Sequence, residues 1–279
     1  MLTLCQWGVN NRSKLCLHMM GYRASIAGMR QRKASAEAGS GESPAQRATY
    51  HHGNLREAIV AAAVELVAEA GIEGMTLREA ARRAGVSSGA PFRHFPGKRE
   101  LVLAVAEQGM AQLRASISRG LAECQSDNPL VRLAMLGSAY VDWAADNPTH
   151  YRVLGDRLLI DFYQSDGLMA DNRFIRETME QLLRAGQDQG LIGPIDLGQA
   201  NLQCRAMAYG LARMMVDGHF AEFAIASAAD MREAMIDALD GMIALLARDS
   251  AATLEQIRSQ RRSAGSILQE PGRPGSAHS

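Results

Sequence analysis

Thr76-Leu77-Arg78-Glu79-Ala80-Ala81-Arg82-Arg83-Ala84-Gly85-Val86-Ser87-Ser88-Gly89-Ala90-Pro91-Phe92-Arg93-His94-Phe95 is the stretch that decides the fold. Thr76 and Glu79 have the spacing of a capping box, in which the Thr hydroxyl accepts from the Glu amide and the Glu side chain reaches back. A short helix is therefore predicted to start at Thr76, turn Leu77, Ala80 and Ala81 inward, and end at Ala84, where Gly85 closes it. Ser87 or Ser88 can cap a second short helix, with Pro91 in its first turn. Ser88, Gly89 and Ala90 are small enough for that helix to bring its N-terminus close to phosphates and base edges. Upstream, over 54–70, Leu55, Ile59, Ala62, Ala63, Leu66, Val67 and Ala70 recur at spacings of three and four and stop at Gly71, which predicts a longer amphipathic helix. A long helix followed by two short ones across a tight turn is the pattern of a tri-helical helix-turn-helix, whose last helix protrudes far enough to read DNA.

Outward from this module the chain of 279 residues continues as helix. Alanine, leucine, methionine and arginine dominate, and aromatics make up only 5%, a mix that favours helix over strand. Periodic segments are predicted at 97–124, 129–146, 148–164, 171–189, 197–220 and 229–248, broken by Asn128-Pro129, Asn147-Pro148, Ser165-Asp166-Gly167 and the 190–194 segment. The expected fold is all-α, with an N-terminal tri-helical helix-turn-helix domain over 50–112 and a helical ligand-binding and dimerisation domain over 113–249. Residues 1–49, ending in a Gly/Ser/Ala/Pro-rich segment, read as a flexible arm. Residues 250–279, rich in Ser, Gly, Pro and Arg, read as a disordered tail. Met29-Arg30-Gln31-Arg32-Lys33 offers an alternative translation start that would leave a short basic arm.

The formal net charge of zero hides a division: residues 1–99 hold 14 Lys+Arg against 7 Asp+Glu, and residues 100–279 hold 16 against 23. A basic first third attracts a polyanion, and an acidic remainder does not spread along DNA. Cys5, Cys16, Cys124 and Cys204 have neither a metal-ligand spacing nor a disulfide framework. No cofactor and no metal are expected, and adjacent His51 and His52 fit backbone contact from the arm better than ligation. With no signal-peptide core and no apolar run long enough to span a bilayer, a cytoplasmic protein without membrane association is expected.

The residues of this module resemble those of the TetR family of regulators, and the likeness is specific from Asn54 to about Gln112. It is carried by Ala61-Ala62-Ala63 to Leu66, Gly71, Met75 to Ala81, Gly85-Val86-Ser87 and Phe92 to Leu101. Tyr50 to Arg56 together with Ala90-Pro91 look like the subgroup with a WHG-type C-terminal domain, although Tyr209-Gly210 stands where that subgroup often has His-Gly. The resemblance implies that Thr76 meets a phosphate, that the third helix enters the major groove, and that Lys98 meets the DNA backbone. Phe92 departs from the family's usual tyrosine, so the hydroxyl that would bond a phosphate is missing. The candidate DNA-contacting set is Thr76, Arg78, Ser87, Ser88, Gly89, Ala90, Pro91, Phe92, Arg93, His94 and Lys98. Arg93 is suited to guanine or phosphate by its paired donors.

The two helices at 197–220 and 229–248 are apolar over broad faces, through Met207, Leu211, Met214 and Met215 on one and Met231, Met235, Ile236, Leu239, Met242, Ile243 and Leu246 on the other. One face can cover the monomer core and the other can form a four-helix homodimer interface. Tyr140, Trp143, Phe162, Phe174 and Tyr209, with Tyr151 and Met179, are candidates to line an effector pocket, and plain core is the competing reading for each. No nucleophile elbow, phosphate-cradling loop or His/Glu metal spacing supports an enzyme. The expected function is a sequence-specific DNA-binding regulator that binds operator DNA as a homodimer and is released by an unidentified small-molecule effector. The alternative is an activator or a ligand-independent DNA binder using the same module.

Overall fold

The computed structural model describes residues 55–157 and 159–267. The predicted arm at 1–49, the paired histidines and the last residues of the tail lie outside the described residues. Nine α-helices make up the described chain: α1 (Leu55–Gly74), α2 (Leu77–Arg83), α3 (Lys98–Glu123), α4 (Pro129–Asp146), α5 (Pro148–Gly155), α6 (Asp166–Asp188), α7 (Leu197–Asp217), α8 (Ala228–Leu246) and α9 (Ser250–Ile267). The all-α architecture expected from composition is therefore the one observed. The only strand-like pairing among these residues is a single bridge between Ile192 and Ala247.

In the N-terminal module α1 buries Ile59, Val60, Ala62, Ala63, Leu66 and Val67, and α2 buries Leu77, Ala80 and Ala81. Gly71 breaks α1 where the pattern predicts, at φ 72°, a left-handed conformation that costs glycine little. α3 begins within this module, burying Leu101, Val102 and Val105, and then runs on into the body, burying Met110, Leu113 and Ile117. α4 is the centre of the body. It packs against α3, α6, α7, α8 and α9, and this explains why it is apolar on most of its circumference, with Leu130, Val131, Leu133, Leu136, Val141 and Trp143 all buried.

Several boundaries differ from the periodic reading. The predicted helix over 148–164 stops at Gly155, because Asp156 accepts the Leu159 amide at 3.3 Å, a local bond that competes with the helix. A single 3₁₀ turn then occupies Phe162–Gln164. α6 starts at Asp166, not at 171, because Ser165 acts as an N-cap and accepts the Leu168 amide at 3.2 Å.

The larger correction concerns the tail. Residues 250–267, expected to be disordered, form α9, which packs on α8 and α4. Thr253, Ile257 and Gln260 are its buried face, spaced four and three apart but with a single strongly apolar member, so hydrophobic periodicity does not reveal it. Its attachment is polar. Asn128 donates to Gln256 at 2.6 Å, and Arg261 donates from Nε to Asp240 Oδ2 at 3.0 Å and from Nη1 to Ser138 Oγ. The Asp240 side chain is 6% exposed, and burial raises its pKa against the opposing pull of Arg261. Replacing Arg261 by Ala strands that carboxylate and is expected to lower the unfolding free energy by on the order of 3 kcal/mol, measured by chemical denaturation. The double change Asp240→Leu with Arg261→Met should recover most of the loss.

Candidate nucleic-acid interface and ligand cavity

Thr76 precedes α2 in extended backbone, and its Oγ1 accepts the Glu79 amide at 3.2 Å. Only half of the expected capping box forms. The Glu79 carboxylate turns to Arg82, accepting from its Nε at 3.0 Å, and the Arg82 hydrogen bond holds the Glu79 pKa below the usual carboxylate range. α2 ends in a Schellman arrangement: Val86 donates to Ala81 O at 3.0 Å and Gly85 to Arg82 O at 3.2 Å, with Gly85 at φ 71°.

The segment that follows is not the capped α-helix predicted from Ser87 or Ser88. Ala90 donates to Ser87 O at 3.0 Å, a 3₁₀ turn spans Pro91–Arg93, and no side chain caps it. In an α-helix capped by Ser87, residue 91 would be the first to donate four residues back, and proline has no amide hydrogen to do so. Pro91 is buried instead and holds the turn from beneath together with Phe95, which is 2% exposed. Ser87, Ser88, Gly89, Arg93 and His94 are exposed and Ala90 is partly so. Phe92 is 53% exposed, an apolar ring on an otherwise polar surface.

The electrostatics of this face are one-sided. From Thr76 to Arg99 there are six Arg or Lys and one acid, Glu79. Arg83 is paired with Glu69 at 2.7 Å, whereas Arg78 and Arg93 have no partner among the described residues. Lys98 Nζ donates to Glu73 O at 2.9 Å, which moors it against the end of α1 at the rim of the same face.

A cavity of about 330 Å³ lies in the body, bounded by α3 to α8. Of the sequence candidates, Tyr140, Trp143, Tyr151, Met179 and Tyr209 line it. Phe162 and Phe174 do not. α6 reaches the cavity with Asn172, Ile175 and Met179, a spacing of three and four, which leaves Phe174 on another face beneath Arg114 at 4.6 Å. Phe162 is buried under the Arg157 guanidinium at 3.6 Å. Arg157, Asn172 and Arg205 complete the polar lining and were not among the sequence candidates, since arginines on amphipathic helices read as solvated. Tyr151 donates to Tyr209 O at 2.8 Å, which ties α5 to α7. Burial pushes the Tyr140 phenol up to about 12, so it remains a hydrogen-bond donor at neutral pH.

α5 is also held tightly to α3. A Cβ at Gly109 would lie 2.8 Å from His150 Cβ, so the two helices meet at a distance only glycine permits. His150 is buried and its Nε2 lies 3.0 Å from the Gln108 side-chain amide, with which it shares a hydrogen bond. Burial lowers its pKa from the usual 6.5. The unfolded imidazole takes up a proton below about pH 6.5 while the folded one stays neutral, so this residue's stabilisation is present above that pH and lost as pH falls below it. Unfolding free energy should therefore decline on acidification with a contribution no steeper than about 1.4 kcal/mol per pH unit from this group. Denaturation curves of the wild type and His150→Asn at pH 7.5 and pH 5 check this, and the variant should lose less.

Comparison with known proteins places these features. The model of the bacterial regulatory proteins of the tetR family matches residues 59–105, and that of the tetracyclin repressor-like C-terminal domain matches residues 133–239. The chain is 46% identical over 52 residues to the tetracycline repressor protein class C of Escherichia coli, 19% of this chain and 24% of that protein. It is 27% identical over 99 residues to the HTH-type transcriptional regulator YobS of Bacillus subtilis, 36% of this chain and 50% of that protein. The chain thus spans half or less of the length of these curated relatives. Among solved structures, a protein of unknown function from Rhodococcus sp. RHA1 is 27% identical with a TM-score of 0.60, covering 74% of this chain and 100% of that one. The TetR family regulator PfmR of Thermus thermophilus shares the fold at 19% identity and a TM-score of 0.53, covering 66% of this chain and 96% of that one.

Proposed function

Because the chain belongs to the TetR family of bacterial regulatory proteins, we propose that it is a repressor that binds operator DNA as a homodimer and is released when a small molecule fills the body cavity. The observation that carries this reading is the exposed face from Ser87 to His94. It stands on a rigid Schellman turn, carries Arg93 without a partner among the described residues, and has its one neighbouring acid already neutralised by Arg82. Unpaired guanidinium groups on a projecting turn are suited to phosphates and to guanine edges. Thr76 at the start of α2 and Lys98 at the start of α3 bracket the face and are suited to backbone phosphates. In this reading Pro91 supports the surface from within and makes no contact of its own.

Dimerisation is supported by exposed apolar side chains on the two long helices at the end of the body. Leu202 is 60% exposed and Tyr209 49% on α7, and Leu245 is 81% exposed on α8. Exposed large apolar side chains on two helices packed side by side suit an association surface, and pairing α7 and α8 with their copies makes a four-helix interface. A dimer presents two reading faces to the two half-sites of a palindromic operator. α3 carries the coupling between the two modules. Its Gly109 and Gln108 hold α5, α5 supplies Tyr151, Leu154 and Gly155 to the cavity, and Glu107 of α3 lies 3.8 Å from Arg56 of α1. A ligand that shifts α5 therefore acts on the rod that holds the DNA module, and effector and operator bind with negative coupling.

Gel-shift titration of the folded dimer against the intergenic DNA beside its own gene tests the reading. A specific shift at moderate salt is expected, and its absence would refute operator binding. Arg93→Ala should weaken the complex by about 1–3 kcal/mol, with relaxed base preference if the contact is to guanine or a shallower salt slope if it is to phosphate. Phe92→Tyr adds a hydroxyl on an exposed ring and should tighten binding by roughly 0.5–1.5 kcal/mol, read by fluorescence anisotropy on the same operator.

A further inference from the structure

We infer that the body cavity takes an anionic, acceptor-rich ligand, a carboxylate on an apolar hydrocarbon or aromatic frame, with Arg205 receiving the carboxylate. This rests on the reading that the cavity is the effector site and narrows its chemistry. The walls supply apolar contact through residues such as Met110, Leu113, Leu133, Leu136, Met179 and Leu239, and no Asp or Glu lines them. Two guanidinium groups do. Arg205 donates from Nη2 to Asn172 Oδ1 at 2.8 Å, while its Nη1 is buried and has no hydrogen-bond partner. Neither Arg205 nor Arg157 forms an ion pair among the described residues, and Arg157 instead lies over the Phe162 ring.

A second lining residue repeats the pattern. Trp143 Nε1 is buried and also unpartnered. Indole and guanidinium nitrogens can only donate, so the nitrogen-bearing side chains that line the cavity favour a ligand that accepts. A buried cation without an anion is costly, and that cost is recovered when a carboxylate arrives. Burial is the main cause that lowers the Arg205 pKa, against an opposing pull from Tyr140. Tyr140 remains a neutral phenol under its own burial and bounds the same cavity. A carboxylate with an apolar body satisfies the donors and fills the walls, whereas an alcohol or amide of the same shape leaves the positive charge uncompensated and an amine adds to it.

The test uses the full chain without DNA, with Trp7→Phe so that the fluorescence read is that of Trp143, together with thermal stability. Straight-chain acids from octanoate to dodecanoate, and 2-naphthoate and phenylbutyrate, are titrated beside the matching alcohols. At least one acid should bind at least tenfold more tightly than its alcohol and raise the melting temperature. Arg205→Met should abolish that preference and leave the ligand-free protein no less stable, since an uncompensated charge is removed, while Arg176→Gln, on the surface ion-paired to Glu180, should keep the preference. Equal binding of acids and alcohols, an unchanged preference in Arg205→Met, or binding by no acid in the series would overturn the inference. Because no operator is present, a failed gel shift leaves this result standing. Tight acid binding that leaves the operator complex intact would instead sink only the release mechanism.

Discussion

The structure depends on one helix being shared. α3 runs for 26 residues, about 39 Å at 1.5 Å per residue, and it belongs to both modules. Its first turns bury Leu101, Val102 and Val105 in the helix-turn-helix, and its later turns bury Met110, Leu113 and Ile117 in the body. A hydrogen-bonded helix transmits rotation with little compliance, so the orientation of the reading face follows from how α3 is seated in the body. That seating is strict at Gly109, where α5 approaches so closely that a single methyl group would collide with His150. In the proposed mechanism this contact carries the coupling, because at so close an approach small displacements cannot be absorbed by side-chain rearrangement.

The two ends of this rod solve opposite electrostatic problems. The reading face keeps cations unpaired in water, where they cost little, and waits for a polyanion. The body keeps one guanidinium nitrogen and an indole N–H buried without partners, where the cost is real. Such a deficit persists in a folded chain only when the surrounding packing over-determines it. Here the packing comes from α4, which is buried on most of its circumference and cannot move aside. The division of charge along the chain suits this arrangement. The acidic body does not compete for DNA, and the basic module presents its cations where the fold projects them.

α9 adds a different kind of constraint. It is attached to α4 and α8 by Arg261, Asp240, Ser138, Asn128 and Gln256 more than by apolar burial. Polar attachments of this kind are specific in register but contribute little without their full set of partners. They place a helix against the same α8 that carries the exposed Leu245.

Much of this was legible in the residues themselves. The helix-turn-helix was readable because its determinants are local: Thr76 three residues before Glu79, Gly71 and Gly85 at chain reversals, and apolar residues at helical spacing in 54–70. Tyr140, Trp143 and Tyr209 were readable as pocket candidates from size and chemistry alone. Local chemistry was also misleading where it competed with itself. Ser87 and Ser88 look like caps, yet Pro91 removes the amide that an α-helix would need and leaves a 3₁₀ turn. The tertiary structure alone decided that Arg205 and Trp143 share one cavity with unmade hydrogen bonds, that Phe162 and Phe174 are turned away from it, and that 250–267 folds back as a helix. The physical reason is common to all three. A cap or a glycine turn is satisfied within a few residues of chain, whereas a buried donor, a pocket wall or a polar helix face is defined by partners from thirty to more than a hundred residues away.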